Sequence, residues 1–323
     1  MIDAPQPPPP LRHRDRSLGL AVFGVIEILI GLALAALVPL TVVALAIADA
    51  GNPAVVVPTT ILYGVLAALF VALGIGSARG RRWARELSLS LAWLWLVTGA
   101  CSMVLTWLLV PGLWLDLAVT SGLPGTAAKA VAVGVNLFLA VIYVLLPAGF
   151  VLFYRSPDVA ATCRRRDPGP DLTERCPRPL LALALAFALG GLSVLAMPAY
   201  GFVFPLFGRL LHGGTGAAAW GAVMVLSGVL AWGTWRRARW AWWLATGATV
   251  AATVSTVTTF ITADADAVFT AMHLPPDQRR LLEPLWPASP WVHAVIWLAV
   301  WGSLLGYLVA VRRHFGPEPG SGP

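Results

Sequence analysis

Eight long apolar runs make up most of the chain, and each is about as long as a helix that crosses the hydrocarbon core of a bilayer. In that core only helices and closed barrels satisfy the backbone, and the runs lack the alternation of barrel strands. Charged residues form 11% of the 323 residues, against about 25% in soluble domains. These features predict an all-α integral membrane protein with eight transmembrane helices, near 18–47, 57–77, 84–110, 128–154, 179–207, 216–235, 241–262 and 290–311.

Basic residues concentrate on one side of the predicted spans. Of the 22 Arg and Lys residues, 18 lie in the two tails and in the loops after spans two, four and six. The positive-inside rule therefore predicts an inner-membrane protein with both termini in the cytoplasm. The preference for Arg over Lys, with much Ala, Gly and Pro, is typical of a GC-rich bacterial coding sequence. The net charge of +7 then indicates contact with anionic lipid headgroups rather than with nucleic acid.

A short basic stretch occurs twice, with an offset of 157 residues between 76–87 and 233–244. The first copy reads GSARGRRWAREL and the second reads GTWRRARWAWWL. The matching pairs are Gly76 with Gly233, Arg79 with Arg236, Arg82 with Arg239, Trp83 with Trp240, Ala84 with Ala241 and Leu87 with Leu244. The half of the chain around each copy would hold four helices. Because four is an even number, both halves would start on the same side of the membrane. The pattern therefore predicts two parallel four-helix repeats, related by an axis along the membrane normal.

These patterns also predict how the chain is divided. The Pro- and Arg-rich start and the short polar end are expected to be disordered tails. A polar cytoplasmic linker joins the two membrane repeats and is predicted to contain a short interfacial helix that ends at Arg166. In chain order the expected segments are tail, first repeat, linker, second repeat and tail, at 1–17, 18–154, 155–178, 179–313 and 314–323.

The repeated basic stretch is predicted to orient and anchor the bundle. Its Arg side chains would contact lipid phosphates, and its Trp side chains would lie at the membrane interface. The alternative is a cytoplasmic anion site, which requires four guanidinium groups to converge. The candidate lipid or anion contacts are Arg79, Arg82, Trp83, Arg236, Arg239 and Trp240.

Glu27 is the only acidic residue deep within a predicted span. A carboxylate in the membrane is costly and is therefore a functional candidate. It would couple protons, bind a cation or pair with an Arg near the inner face, or it would simply bond to a neighbouring helix. Its counterpart in the second repeat is Ala186 or Phe187, so any such role belongs to the first repeat alone.

Two further sets of polar residues lie inside the predicted spans. Asn136 aligns with His293 and lies at a matching depth, where the two would line a shared cavity or bond between helices. Thr249 and Thr253 belong to a stripe on one face of span seven, which favours close helix packing or, alternatively, a polar pore wall. The stripe also contains Thr246 and Thr256.

No motif predicts a catalytic, cofactor or metal site. Catalytic motifs with a Walker loop, a nucleophile elbow or metal-ligand spacing are absent from the sequence. Cys163 and Cys176 have no nearby His and are expected to be free thiols. On the predicted outer side of the second repeat, solvated loop residues are expected at His212, Asp264, Asp266, His273, Asp277 and Glu283.

The repeated stretch resembles a pattern in uncharacterised bacterial multi-pass membrane proteins built from four-helix units. That pattern is a Gly, then spaced Arg residues, then Arg-Trp-Ala at the start of the next helix. The linker segments Arg166-Asp167-Pro168 and Arg175-Cys176-Pro177 are also similar to linkers in bacterial membrane proteins. The resemblance implies a four-helix repeat. It implies no activity, because none is assigned to those proteins.

Three functions are compatible with the sequence. The first is a non-enzymatic structural or accessory membrane protein, which the scarcity of polar residues inside the spans favours. The second is a transporter or channel for a small solute or ion, with a path between the repeats. The third is a membrane enzyme that acts on lipid. A homo-oligomer or a second membrane protein is compatible with each of them.

Overall fold

In the computed structural model of the chain, the described residues are 13–47, 53–109, 119, 122–170, 172–274, 279 and 289–316. Eight helices within them are long and apolar enough to cross a membrane. The first three are α1 (Ser17–Ile47), α2 (Pro53–Ala78) and α3 (Arg82–Leu109). The fourth is formed by α4 (Gly125–Ala140), a π-helical turn (Val141–Leu145) and α5 (Leu146–Tyr154). The prediction of a helical, membrane-type protein is confirmed.

Two short helices fill the linker, and four of the long helices follow it. The linker helices are α6 (Pro157–Arg166) and α7 (Leu172–Arg175). After them come α8 (Arg178–Ser193), α9 (Gly213–Trp235), α10 (Arg239–Thr262), the short α11 (Ala265–Ala271) and α12 (Pro290–Val311).

The π-helical turn has a cause in the sequence. Pro147 follows it and has no N–H to donate to the carbonyl of Tyr143, so the regular helical ladder is interrupted. A Cβ built on Gly99 of α3 would lie 2.5 Å from that carbonyl oxygen. The absence of a side chain at Gly99 therefore lets α3 approach the interrupted turn closely.

The fifth span is shorter than the sequence predicts. Its helix ends at Ser193, continues as a 3₁₀ helix (Val194–Tyr200) and stops at Gly201, where φ is +64°. A hairpin follows, formed by the antiparallel strands β1 (Phe204–Leu206) and β2 (Arg209–Leu211). Pro198 lies inside the 3₁₀ segment and cannot donate to a helical ladder. The prediction that span five continues to residue 207 is therefore wrong.

Helix pairing follows the same order in the two halves of the chain. In the first half α1 packs along α2, and α3 packs along α5. In the second half α8 packs along α9, and α10 packs along α12. The halves meet where α3 contacts α8 and where α2 contacts the 3₁₀ helix.

Helices α1 and α2 approach each other closely, because small residues face each other. A Cβ at Gly24 would lie 2.6 Å from the Gly74 carbonyl oxygen, and a Cβ at Gly74 would lie 2.5 Å from that of Gly24. Many large apolar side chains on the outer surface of the helices are exposed, as expected for surface that lipid covers.

Each half has its own apolar core. The first contains Leu20, Phe150 and Val159, the last contributed by linker helix α6. The second contains Leu181, Trp242 and Leu308. Leu87 of α3 packs against the second core, so the seam between the halves is apolar at this point.

Candidate functional site

One end of the bundle, here called the basic face, carries the loops in which most of the Arg residues lie. It consists of the α2–α3 loop, linker helices α6 and α7, the start of α8, the α9–α10 loop and the end of α12. Two of these loops, α2–α3 and α9–α10, contain the repeated stretch, and their backbones can be compared residue by residue.

Both loops have the same backbone hydrogen bonds at an offset of 157 residues. The Arg81 amide donates to the Gly76 carbonyl at 2.9 Å, and the Ala238 amide donates to that of Gly233 at 3.0 Å. The residue before each amide has a left-handed conformation, with φ of +68° at Gly80 and +57° at Arg237. The duplicated sequence therefore forms a duplicated turn.

The Trp of each copy packs on the Gly in the last turn of the preceding helix. A Cβ at Gly76 would lie 2.9 Å from Trp83 Cζ2, and a Cβ at Gly233 would lie 2.6 Å from Trp240 Cη2. Both indole rings are also partly exposed, which suits side chains at a membrane interface. The Gly and the Trp thus form one local unit in each half.

In the first half, the linker covers the basic turn. Asp167 Oδ2 accepts a hydrogen bond from the Arg82 amide at 3.2 Å, and Asp167 Oδ1 lies 3.4 Å from Arg81 Nη1. The Arg82 guanidinium donates to the Gly169 carbonyl at 2.6 Å. An acidic residue therefore binds the first turn of α3, where the positive end of the helix dipole lies.

Linker helix α6 spans the residues predicted for it, and one of its faces is buried. Val159 and Cys163 lie in the first core, while Arg164, Arg165 and Arg166 are exposed. The Arg16 amide at the start of α1 donates to Thr162 Oγ1 at 3.1 Å. The helix is thus fixed to the bundle, and its exposed side is strongly basic.

A buried carboxylate links α3 to the start of α8. Glu86 Oε2 accepts from Arg178 Nε at 2.7 Å, and Glu86 Oε1 accepts from Arg178 Nη2 at 2.9 Å. The guanidinium of the neighbouring Arg85 also binds Glu86 Oε1. The Glu86 side chain is 1% exposed and that of Arg85 is 6% exposed, whereas that of Arg178 is 54% exposed. One acidic group therefore holds two cationic groups at the junction of the two halves.

These residues surround a recess of about 150 Å³ between α3, α6 and α8. We call it the basic recess. Its lining includes Arg82, Arg85, Glu86, Cys163, Arg164 and Arg178. Arg85 lies at its buried base, and Arg164 and Arg178 lie at its exposed mouth.

The second half has an aromatic arrangement at the equivalent place. Trp242 and Trp243 take the positions of Arg85 and Glu86. The guanidinium of Arg312 stacks on them, 4.9 Å from the Trp242 ring centre and 5.9 Å from that of Trp243. With Arg239, these three side chains line a separate recess of about 340 Å³. Cation–π contact replaces the ion pairs of the first half.

The predicted set of four converging Arg residues is distributed over different surroundings. Arg82 lines the basic recess, and Arg239 lines the aromatic recess of the second half. Arg236 stacks on Trp232 at 4.9 Å and also shares a recess of about 380 Å³ with Arg239, whereas Arg79 is exposed. The structure therefore places Arg82 with Arg85 and Arg178 instead.

Glu27 lies in a buried polar cluster to which every long helix of the first half contributes. The Tyr154 hydroxyl donates to Glu27 Oε1 at 3.2 Å and lies 2.8 Å from Ser77 Oγ. Ser88 of α3 is buried beside the same carboxyl group. Glu27 itself is 2% exposed, and its Oε2 atom has no hydrogen-bond partner among the described residues.

The equivalent place in the second half is almost entirely apolar. The offset of 157 residues takes Ser77 to Thr234, Ser88 to Ala245 and Tyr154 to Val311, all of them buried. Phe187, one of the two counterparts of Glu27, packs against the second core. The buried carboxyl group is therefore a property of the first half alone.

Asn136 and His293 lie in two separate helix contacts. Asn136 Oδ1 accepts from Trp107 Nε1 at 3.0 Å, which links α4 to α3. His293 stacks on Phe260 at a ring distance of 6.2 Å, which links α12 to α10. Each residue thus serves the contact between the third and fourth long helices of its own half.

The Thr stripe of α10 bonds to its own helix. Thr249 donates to the Ala245 carbonyl and Thr253 donates to the Thr249 carbonyl, both at 2.7 Å. One turn further, Ser255 Oγ accepts from the Phe207 amide at 3.0 Å, and Thr259 Oγ1 accepts from the Gly208 amide at 2.9 Å. The polar face of α10 therefore ends in two hydroxyl groups that bind the backbone of the β-hairpin. The sequence analysis missed this contact.

Among the described residues, no group of three or more His, Cys, Asp or Glu side chains is placed to hold a metal ion. His212, Asp264, Asp266 and His273 are described, whereas Asp277 and Glu283, with the expected outer interfacial helix, lie outside the described residues. Cys163 and Cys176 are free and buried, and burial raises the pKa of each thiol to about 11.

Glu86, Arg178 and Tyr154 are the site residues that the sequence analysis missed. One signal was visible, because the first copy has the adjacent charged residues Arg85 and Glu86 where the second copy has two Trp residues. A local difference between two otherwise matching copies is a sign that one copy has acquired its own contact.

No protein-family model matches the chain, and no curated protein or solved structure matches it at a significant level of similarity.

Proposed function

We propose that the chain is a non-enzymatic accessory protein of the bacterial inner membrane, formed by two parallel four-helix repeats with both termini in the cytoplasm. The identical turns at Gly76 and Gly233 and the equal order of helix pairing support the repeat. The location of 18 of the 22 Arg and Lys residues in the two tails and in the loops after spans two, four and six supports the orientation.

The observation that carries the accessory role is the environment of Glu27. Its carboxyl group bonds to Tyr154, which contacts Ser77, so the one acidic residue deep in a span holds helices of a single half together. A polar group within a membrane bundle commonly serves this purpose. The apolar seam at Leu87 agrees with a role that needs no path between the halves.

The proposed partner is the bilayer itself. Arg79, Arg236 and Arg239 are exposed on the basic face, where they contact anionic headgroups. Trp83 and Trp240 lie beside them at the interface. Nucleic acid is not a partner, because these cations occupy short loops between membrane helices.

Proton flux in proteoliposomes tests the accessory role against transport. Vesicles contain a trapped pH-sensitive dye and receive an imposed pH gradient. We expect wild-type protein and Glu27→Gln to dissipate the gradient no faster than protein-free vesicles. The Gln variant is a suitable comparison, because its amide oxygen still accepts from Tyr154 while it cannot carry a proton.

A second candidate function is proton- or cation-coupled transport. It is favoured by Glu27 Oε2, which is buried and has no hydrogen-bond partner among the described residues. Such an atom is a place for an exchangeable proton or a cation. Faster dissipation by the wild type, lost in Glu27→Gln, would establish this function and refute the accessory one.

Cysteine labelling tests the proposed orientation. Ala267→Cys lies on the exposed side of α11, and Arg165→Cys lies on the exposed side of α6 at the opposite end. A membrane-impermeant maleimide applied to intact spheroplasts should label the first and spare the second. The reverse pattern would place the basic face outside and overturn the topology.

A further inference from the structure

We propose that the basic recess is a binding site for a phosphate group, either that of an anionic lipid or that of a soluble phosphate compound. The recess lies between α3, α6 and α8, at the junction of the two halves. This assignment gives the proposed accessory protein a ligand. It rests on the proposed function only for the side of the membrane that the recess faces.

Charge is the first argument. Arg82, Arg85, Arg164 and Arg178 line the recess with Glu86, so four of its described lining residues are cations and one is an anion. Guanidinium groups stay protonated at every physiological pH. Like charges at this density repel one another across a small volume, so a bound anion stabilises the arrangement.

Geometry is the second argument. Both oxygens of Glu86 accept from Arg178, and Arg85 binds the same carboxylate. This contact fixes the direction of two guanidinium planes before any ligand arrives. Fixed, planar pairs of donors are the arrangement that phosphate oxygens bind best.

Depth is the third argument. Arg85 is buried at the base of the recess, Arg82 is partly buried, and Arg164 and Arg178 are exposed at the mouth. The volume of about 150 Å³ corresponds to roughly five waters at the ~30 Å³ of each in the liquid, enough for a phosphate group and its nearest waters.

The second half supplies an internal comparison. At the equivalent positions Trp242 and Trp243 leave no carboxylate, and Arg312 already stacks on their rings. The proposed site is therefore specific to the first half. Cys163 adds no covalent chemistry to it, because burial keeps the pKa of its thiol near 11 and the nucleophilic thiolate scarce.

Two substitutions on one helix face separate a site from a general charge effect. Arg164→Gln removes a cation at the mouth of the recess. Arg165→Gln removes the same charge from the next position, which is also exposed and does not line the recess. Neither side chain is part of a core, so both variants should fold.

Binding is measured on full-length protein in an uncharged detergent. In one arm, the melting temperature is followed against sodium phosphate, with sodium chloride at equal ionic strength as the reference. In the other arm, native mass spectrometry counts phosphatidylglycerol and phosphatidylcholine retained by the same protein. Detergent-solubilised protein has no sidedness, so these results do not depend on the orientation tested above.

We expect at least one of the two probes, inorganic phosphate or phosphatidylglycerol, to bind the wild type. Its apparent affinity should fall at least threefold in Arg164→Gln and stay within about 1.5-fold in Arg165→Gln. Binding of phosphate alone identifies a soluble ligand, and binding of phosphatidylglycerol alone identifies a headgroup. Equal losses in the two variants, or no binding of either probe, would overturn the site.

Discussion

Glu86 and Arg178 are 92 positions apart in the chain, and their side chains form a two-bond ion pair across the junction of the two halves. The pair is asymmetric, because the acid is 1% exposed and the Arg is 54% exposed. The charge that has lost its water is the carboxylate, and Arg85 on its other side is buried as well. The stability of the junction therefore depends on Glu86 more than on Arg178.

This asymmetry predicts unequal losses of stability. Glu86→Gln removes the carboxylate that binds the buried Arg85, and we expect the free energy of unfolding to fall by about 3 kcal/mol. Arg178→Gln removes a half-exposed cation whose charge is screened by water. We expect this change to lower the free energy of unfolding by about 1 kcal/mol. The measurement is equilibrium unfolding in mixed detergent and SDS micelles.

Arg165→Gln is the control for that comparison, since it removes an exposed charge from the same face. The double variant Glu86→Gln with Arg178→Gln should lose less than the sum of the single losses, because the second change removes a partner that the first has already weakened. Additive losses would show that the pair contributes no coupling.

Tyr154→Phe removes the hydroxyl that connects Glu27 with Ser77. Hydrogen bonds between membrane helices contribute about 0.6 kcal/mol on average and up to about 1.7 kcal/mol, and two contacts are lost here. We expect a loss of about 1 kcal/mol. Tyr143→Phe, at an exposed position, should change the unfolding free energy by less than half of that amount. Equal effects at the two positions would show that the cluster does not hold the helices together.

The long helices could be predicted from the sequence because their signal is local. A continuous apolar run of sufficient length must form a helix in lipid, whatever it packs against. The same signal failed after Ser193, where apolar residues continue through Phe202, Val203 and Phe204. Hydropathy does not distinguish an α-helix from a 3₁₀ turn followed by a hairpin. The hydroxyl groups of Ser255 and Thr259 that bind this hairpin lie about 50 residues further along the chain.

The candidate sites were predictable only in part. Glu27 was recognisable, since a carboxylate inside an apolar run is unusual on its own. Its partner Tyr154 is 127 positions away and at the end of another span, so only the fold brings the two together. The basic recess is a similar case, because the linker folds back over the α2–α3 loop through Asp167.

The two buried thiols provide a pH test of the linker packing. Burial raises the pKa of Cys163 and Cys176 from 9.0 to about 11, which lowers the thiolate fraction at pH 8 about 100-fold. Alkylation of Cys163 and Cys176 by iodoacetamide, measured at each of these two residues in the folded protein, should therefore keep accelerating between pH 9 and about pH 11, instead of levelling off near pH 9. In SDS-unfolded protein the rate should level off near the ordinary value. A plateau near pH 9 in the folded protein would mean that the linker exposes these thiols.

The glycines of the repeat offer a test with controls in the chain itself. A Cβ at Gly76 would lie 2.6 Å from Ala84 Cβ, and a Cβ at Gly233 would lie 2.7 Å from Ala241 Cβ. Gly64 and Gly221 are also related by the 157-residue offset, but a Cβ at either position would meet nothing within 4 Å. The first of these two matched pairs of helical glycines is therefore in contact, and the second lies in open space.

Alanine at either of the two contact positions should separate the helix from the one that follows it. We expect Gly76→Ala and Gly233→Ala to lower the free energy of unfolding by about 1–3 kcal/mol each, as overpacking does. Gly64→Ala and Gly221→Ala should be neutral or stabilising by up to about 1 kcal/mol, since Ala favours a helix over Gly. Because each pair shares its surroundings, the two members should also respond alike. A large loss at Gly76 with none at Gly233 would mean that the turns match in backbone but not in packing, and would count against the repeat.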